Sequence, residues 1–162
     1  MSAERLNIDV ARLDRDGEDF EGEIDPETVG YGLEEGDYAT PSGGLRYSLF
    51  VQLLGDELLV RGAISQDFDR VCSLCAIPFK ERIEEKSFVA SLPVAAGEAF
   101  VDLTEELRET ILLNFPEHPV CRPDCRGLCP RCGADLNLGP CGCGDSGEQD
   151  ACWGGLDQLK LQ

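Results

Sequence analysis

The chain has 162 residues, 42% hydrophobic and 28% charged, with 14 Lys plus Arg against 32 Asp plus Glu. Such a composition suits one globular domain, alone or with a small appended module, and excludes disorder throughout. A formal charge of −18 repels phosphate backbones at long range, so the surface as a whole is no sequence-independent nucleic-acid binder; a local patch or a basic protein partner is compatible with it.

From the start, Leu6, Ile8 and Val10 alternate with Asn7, Asp9 and Ala11, the pattern of a half-buried strand. An acidic turn over 14–25 leads to a weak second strand near Phe20–Ile24. Pro26-Glu27-Thr28-Val29 suits a short helical turn, and Pro41-Ser42-Gly43-Gly44 a loop. Leu45–Leu54 and Leu58–Phe68 then form the clearest hairpin, with Leu45, Tyr47, Leu49 and Val51 on one face and Val60, Gly62, Ile64 and Phe68 answering them. Its Gly55-Asp56 connection fits a glycine-first turn or part of a longer loop. Residues 79–91 form another strand whose charged middle predicts a bulge or an exposed edge, and 93–97 a turn. Asp102 opens the one main helix, with Glu105 at capping-box spacing. Leu103, Leu107 and Ile111, widened by Leu112 and Phe115, give that helix an apolar stripe, and Pro116 ends it. The fold class expected is α+β: an antiparallel sheet, open or strongly curved towards a barrel, packed with one main helix and followed by a C-terminal zinc-knuckle module.

The cysteines carry the chemistry. There are nine against a single histidine, none before Cys72, and eight fall into four close pairs: Cys72/Cys75, Cys121/Cys125, Cys129/Cys132 and Cys141/Cys143. Pairing near neighbours as disulfides would staple almost nothing, whereas two such pairs supply the four soft donors of a tetrahedral zinc. Cys129-Pro-Arg-Cys132-Gly has the form of a knuckle, and Asn137, Gly139 and Gly142 let the chain return with Cys141 and Cys143. That compact group is one site; Cys72, Cys75, Cys121 and Cys125 form the other, clipping the end of the sheet to the end of the helix. Two zinc ions per chain are expected, and eight thiolates with two dications move the formal charge from −18 to about −22.

Segment by segment the charge is uneven. Residues 1–40 hold 13 acids and 3 bases, whereas 121–144 hold Arg122, Arg126 and Arg131 against Asp124 and Asp135. Those arginines, with Lys80 and Arg82, balance the dianionic sites or contact a partner. Other readings of the cysteines are an iron–sulfur or dithiol redox protein and a metal-dependent hydrolase. No nucleophile–base constellation supports an enzyme, and His118 reads as a surface residue. The opening Met1-Ser2-Ala3-Glu4-Arg5 does not resemble a secretory leader, no stretch approaches the ~20 apolar residues of a membrane span, and clustered cysteines suit a reducing compartment; the expected location is cytoplasmic. The expected organisation is an α+β domain over 1–120, a metal-binding module over 121–144 clipped to it through Cys72 and Cys75, and a partly disordered tail over 145–162 with Cys152 unpaired.

The order Cys72-x-x-Cys75, extended segment, Asp102-Leu103 helix, Phe115-Pro116 and Pro119-Val120-Cys121, ending in Cys121-Arg-Pro-Asp-Cys125-Arg-Gly-Leu-Cys129-Pro-Arg-Cys132, resembles the bacterial YceD family, the large ribosomal RNA subunit accumulation proteins, in its longer-tailed, cysteine-rich form. The resemblance spans about Leu45 to Cys143. It implies a noncatalytic role in large-subunit ribosomal RNA accumulation and ribosome assembly; the charge distribution then offers as partner precursor RNA, through the Arg122–Arg131 region, or a basic ribosomal protein, through the acidic face. The resemblance also implies Cys72, Cys75, Cys121 and Cys125 as the shared metal site, the second group being an elaboration.

Overall fold

Strand alternation, one capped turn and one amphipathic helix build the observed architecture, which the computed structural model describes for residues 5–33 and 39–143. In chain order the elements are β1 (Asn7–Asp9), β2 (Glu18–Ile24), α1 (Pro26–Val29), β3 (Ala39–Pro41), β4 (Leu45–Leu54), β5 (Glu57–Val71), β6 (Pro78–Pro93), β7 (Phe100–Asp102) and α2 (Thr104–Leu113). The fold is α+β, with antiparallel sheets and one main helix. The sheets are open, so the barrel-like option is not realised: β2 pairs with β4, β4 and β3 lie along β5, and β6 pairs with β5. A 15-residue β5 with a 16-residue β6 forms the spine.

The β4–β5 hairpin forms as its alternation predicts. Leu54 faces Glu57 across a two-residue turn, and Gly55 at φ 69° makes it the glycine-first type. Leu45, Leu49, Val51, Val60, Ile64 and Phe68 are buried on the inner face. Gly62 faces Leu49, where a Cβ would lie 2.1 Å from the Ser48 carbonyl oxygen, so only glycine permits this approach of the two backbones.

The charged middle of β6 carries the predicted bulge, and β6 is also a sheet edge. Ile83 and Phe88 are both buried although five residues apart, which places them on opposite faces of a regular strand. A register shift opposite Gly62–Ile64 supplies the extra residue, and Glu85 accepts hydrogen bonds from the Ser87 backbone and hydroxyl at 2.7 Å.

Three local readings change. Asp102 ends β7 and is not the helix cap: Leu103 occupies that position, while Asp102 accepts from the Thr104 N–H at 2.8 Å. Glu105 pairs forward with Arg108 instead of closing a capping box. The loop expected over 41–44 overlaps β3, which runs antiparallel to Phe68–Arg70 and then steps out before β4 begins. Gln66 fills that step; its amide donates to the Gly43 and Asp67 carbonyls at 2.9 and 3.0 Å and accepts from the Tyr31 hydroxyl at 3.3 Å, so this fully buried polar side chain is satisfied.

The strand near Ile8 forms as expected, but its partner is β7, more than 90 residues away. The helical turn at Pro26 is capped by Asp25 and closed by Gly30 in the left-handed conformation. Helix α2 buries Leu107 and Ile111 over the inner face of the sheet, joined by Leu103, Ile8 and Val29. Among the described residues no helix is long and apolar enough to cross a membrane.

Candidate metal centres

The sheet and helix end at the same place. Residues 72–77 turn β5 into β6, with the Cys72 N–H donating to the Ile77 carbonyl and the Ala76 N–H to the Cys72 carbonyl, both at 2.9 Å. The Cys129–Gly133 knuckle repeats that bond, Gly133 N–H to Cys129 carbonyl at 2.9 Å. Both turns need a left-handed residue after the second cysteine. Gly133 at φ 71° adopts it freely, whereas Ala76 at φ 58° does so at a cost of about 1 kcal/mol.

After α2 the chain is fastened to the first turn. Ser73 donates through its N–H and hydroxyl to the Pro119 carbonyl at 2.8 and 2.9 Å. Arg70, almost fully buried, pairs with Glu81 at 2.6 Å and lies 4.8 Å over the Phe115 ring. These contacts bring Cys121 and Cys125 to Cys72 and Cys75 across a 45-residue gap in sequence.

Two four-sulfur groups result, Cys72/Cys75/Cys121/Cys125 and Cys129/Cys132/Cys141/Cys143, each with all its sulfurs within 4.8 Å of one another. This is the partition that the spacing predicts. The Sγ separations are 3.9 Å for Cys72–Cys125, 3.7 Å for Cys75–Cys121 and 3.4 Å for Cys129–Cys141. None of the eight is disulfide-bonded. Four donors at about 2.3 Å around one zinc stand about 3.8 Å apart, so both groups fit a single tetrahedral ion. Four sulfurs so close suit one ion better than a multi-iron cluster, whose irons spread the thiolates further.

The electrostatics also call for a cation. Burial opposes ionisation of Cys72, yet hydrogen bonds from the backbone at Cys121, Cys75 and Leu74 bring its thiol down to about 6. Backbone hydrogen bonds at Cys132 and Arg131 bring Cys129 to about 6 as well. Burial, then the neighbouring sulfurs, push Cys121 up to about 12; the bond with Cys132, then burial, do the same to Cys143. Within each group one thiol is thus eased towards ionisation and another is held towards its protonated form.

The arginines stand differently. Arg122, Arg126 and Arg131 are exposed around the cysteines; Arg122 donates to the Asn137 side-chain oxygen at 2.8 Å and pairs with Asp124 at 3.4 Å. Lys80 and Arg82 lie on β6, where they pair with Asp69 and Asp67 at 3.1 and 2.7 Å. Arg46 joins Arg82 on Asp67, and their hydrogen bonds hold its carboxyl down to about 2. His118 is exposed and belongs to neither sulfur group. Cys152 lies outside the described residues, as does the tail over 145–162. Asn137, readable in sequence only as a turn former, reaches back to accept from the Arg126 N–H and to donate to Cys125 Sγ.

Comparison with known proteins places a distant, partial likeness here. The family model "Large ribosomal RNA subunit accumulation protein YceD" matches residues 89–160. That stretch includes α2 and six of the eight paired cysteines, but it begins after Cys72 and Cys75, so the resemblance from Leu45 is supported only in its second half. An uncharacterized protein of Mycobacterium tuberculosis is 29% identical over 157 residues, covering 85% of this chain and 74% of that protein. Large ribosomal RNA subunit accumulation protein YCED homolog 1, chloroplastic, of Arabidopsis thaliana is 34% identical over 62 residues, 38% of this chain and 19% of that protein. Its Zea mays counterpart is 40% identical over 42 residues, 26% and 14% of the two chains. No solved structure matches.

Proposed function

We propose that the chain is a noncatalytic zinc protein that supports large-subunit ribosomal RNA accumulation and ribosome assembly. The match of residues 89–160 to the YceD model carries this reading, because the matched stretch contains one complete sulfur group and half of the other. Zinc, when bound, supplies a four-thiolate cross-link and the folding free energy that goes with it. A four-sulfur set leaves no position for a substrate or an activated water, which favours scaffolding over hydrolysis.

The partner that charge favours is a basic ribosomal protein. Edge strand β2 and its continuation expose Glu18, Asp19, Glu21, Glu23, Asp25 and Glu27, so a cationic chain is drawn to that side. A second reading, local contact with precursor RNA, is favoured by the exposed Arg122, Arg126 and Arg131 around the sulfur groups.

Depletion in the host cell is expected to lower large-subunit ribosomal RNA relative to the small subunit, and the protein is expected to co-sediment with large-subunit precursors at physiological salt. Reversing Arg122, Arg126 and Arg131 to Glu separates the readings: association survives if the acidic strand carries it and is lost if the arginines do. Unchanged RNA on depletion together with no co-sedimentation overturns the assignment.

A further inference from the structure

The two sulfur groups are not independent neighbours. The Leu128 N–H donates to the Leu74 carbonyl at 2.9 Å, tying the start of the second knuckle to the first. Gly127, at φ 70°, has room for no side chain there: a Cβ would stand 2.9 Å from that same Leu74 oxygen. The Leu136 N–H then donates to the Gly127 carbonyl at 3.0 Å, which brings the loop of the second group against the first.

Asn137 stands at this junction with every hydrogen-bonding position of its amide used. One Nδ2 hydrogen points to Cys125 Sγ at 3.6 Å and the other to Asp135 Oδ1 at 2.7 Å. Oδ1 accepts from the Arg126 N–H at 2.9 Å and from an Arg122 guanidinium nitrogen at 2.8 Å. Two donors and two acceptors are the full inventory of an Asn side chain. The orientation is fixed by these partners, since a flipped amide would set its oxygen against a sulfur and a carboxylate and its nitrogen against two donors. Cys125 belongs to the first group, whereas Asn137 sits between Cys132 and Cys141 of the second.

We propose that Asn137 is a positioning residue that couples the two metal centres, so that filling the second orients Cys125 for the first. This rests on the zinc reading above. Closing the chain around the second ion fixes the 133–140 loop and with it the donor aimed at Cys125; that donor orients the sulfur and tempers the charge it presents to the first ion. Linkage makes the effect mutual, so filling the first centre favours the second by the same factor.

The test uses the full-length protein, Zn(II) in competition with a chromophoric chelator, and Co(II) as a spectroscopic stand-in. Asn137→Ala is expected to weaken one of the two ions by about 10–100-fold, as losses of groups that orient a ligand commonly do, and to shift the sulfur-to-cobalt charge-transfer band of one ion only. Asn137→Asp, which keeps the oxygen facing Arg126 and Arg122 but removes the N–H, should act in the same direction. Replacing Cys129 and Cys132 by Ser should weaken the first centre as well, and adding Asn137→Ala to that variant should cost little more. Unchanged affinity and spectrum in both Asn137 variants, or a full further loss in the combined variant, overturns the coupling while leaving the zinc reading intact. A wild-type chain that binds neither ion overturns the zinc reading and the coupling together.

Discussion

On the proposed zinc reading, chelation at neutral pH is expected to unfold residues 121–143 and to leave the sheet standing. The reason is the shortage of buried apolar surface in that segment. Leu128 is 39% exposed and Leu138 89%, and Cys129 is its only buried hydrophobic side chain. Structural zinc supplies ~10–16 kcal/mol in small modules, far more than such burial can replace. The sheet keeps its own core of Leu45, Leu49, Val51, Val60, Ile64 and Phe68. Amide exchange reads the difference: the Leu128, Cys129 and Leu136 N–H groups, hydrogen-bonded within this segment or to the first turn, lose protection, while β4 and β5 amides keep theirs. Acid acts in the same direction. Cys121 and Cys143 are held up at about 12 without a cation, so binding must displace their protons; affinity therefore falls as pH falls and rises as pH rises. Retained protection in the metal-free chain would contradict this.

The second large effect is expected from Phe68→Ala, at about 3–5 kcal/mol of stability, read by urea denaturation. Phe68 is fully buried, and its ring meets Tyr31 edge-on at 5.4 Å and Phe115 at 4.7 Å. Such pairs add about 0.5–1.5 kcal/mol to the burial itself. The substitution leaves a cavity under Phe115, the residue that supports the Arg70 guanidinium on the path to Cys121. Metal affinity of the first group should therefore drop along with global stability. Val89→Ala on the same sheet is the control: Val89 is 68% exposed, and its loss should cost no more than about 0.5 kcal/mol. Equal costs for the two substitutions would mean that the core has been placed wrongly.

Legibility in the sequence followed the range of the interactions. The β4–β5 hairpin and the apolar stripe of α2 could be read because period and turn chemistry are local. The β6 bulge was readable as well, since its charges interrupt an otherwise regular strand. The β1–β7 pairing could not be read, because nothing local marks Asn7 as the partner of Asp102. The capping-box spacing of Asp102 and Glu105 points to a helix start two residues early, yet Asp102 remains in a strand and satisfies Thr104 from there. Donor arithmetic sets two sites, and the knuckle at Cys129–Gly133 with the turn formers Asn137, Gly139 and Gly142 makes their partition legible. The attachment of the first group was not, because it runs through Arg70, Ser73 and the Pro119 carbonyl, none of which looks like a metal-site residue in a linear chain. Lys80 and Arg82 sit near the cysteines in sequence, but their partners are Asp69 and Asp67, fixed by pairing across β5 and β6.

The most direct test of the whole account is elemental analysis of anaerobically purified protein, combined with X-ray absorption at the metal edge. Two zinc ions per chain, each surrounded by four sulfurs at about 2.3 Å, is the predicted result. One ion or none, an oxygen or nitrogen in either shell, or iron in place of zinc would contradict it.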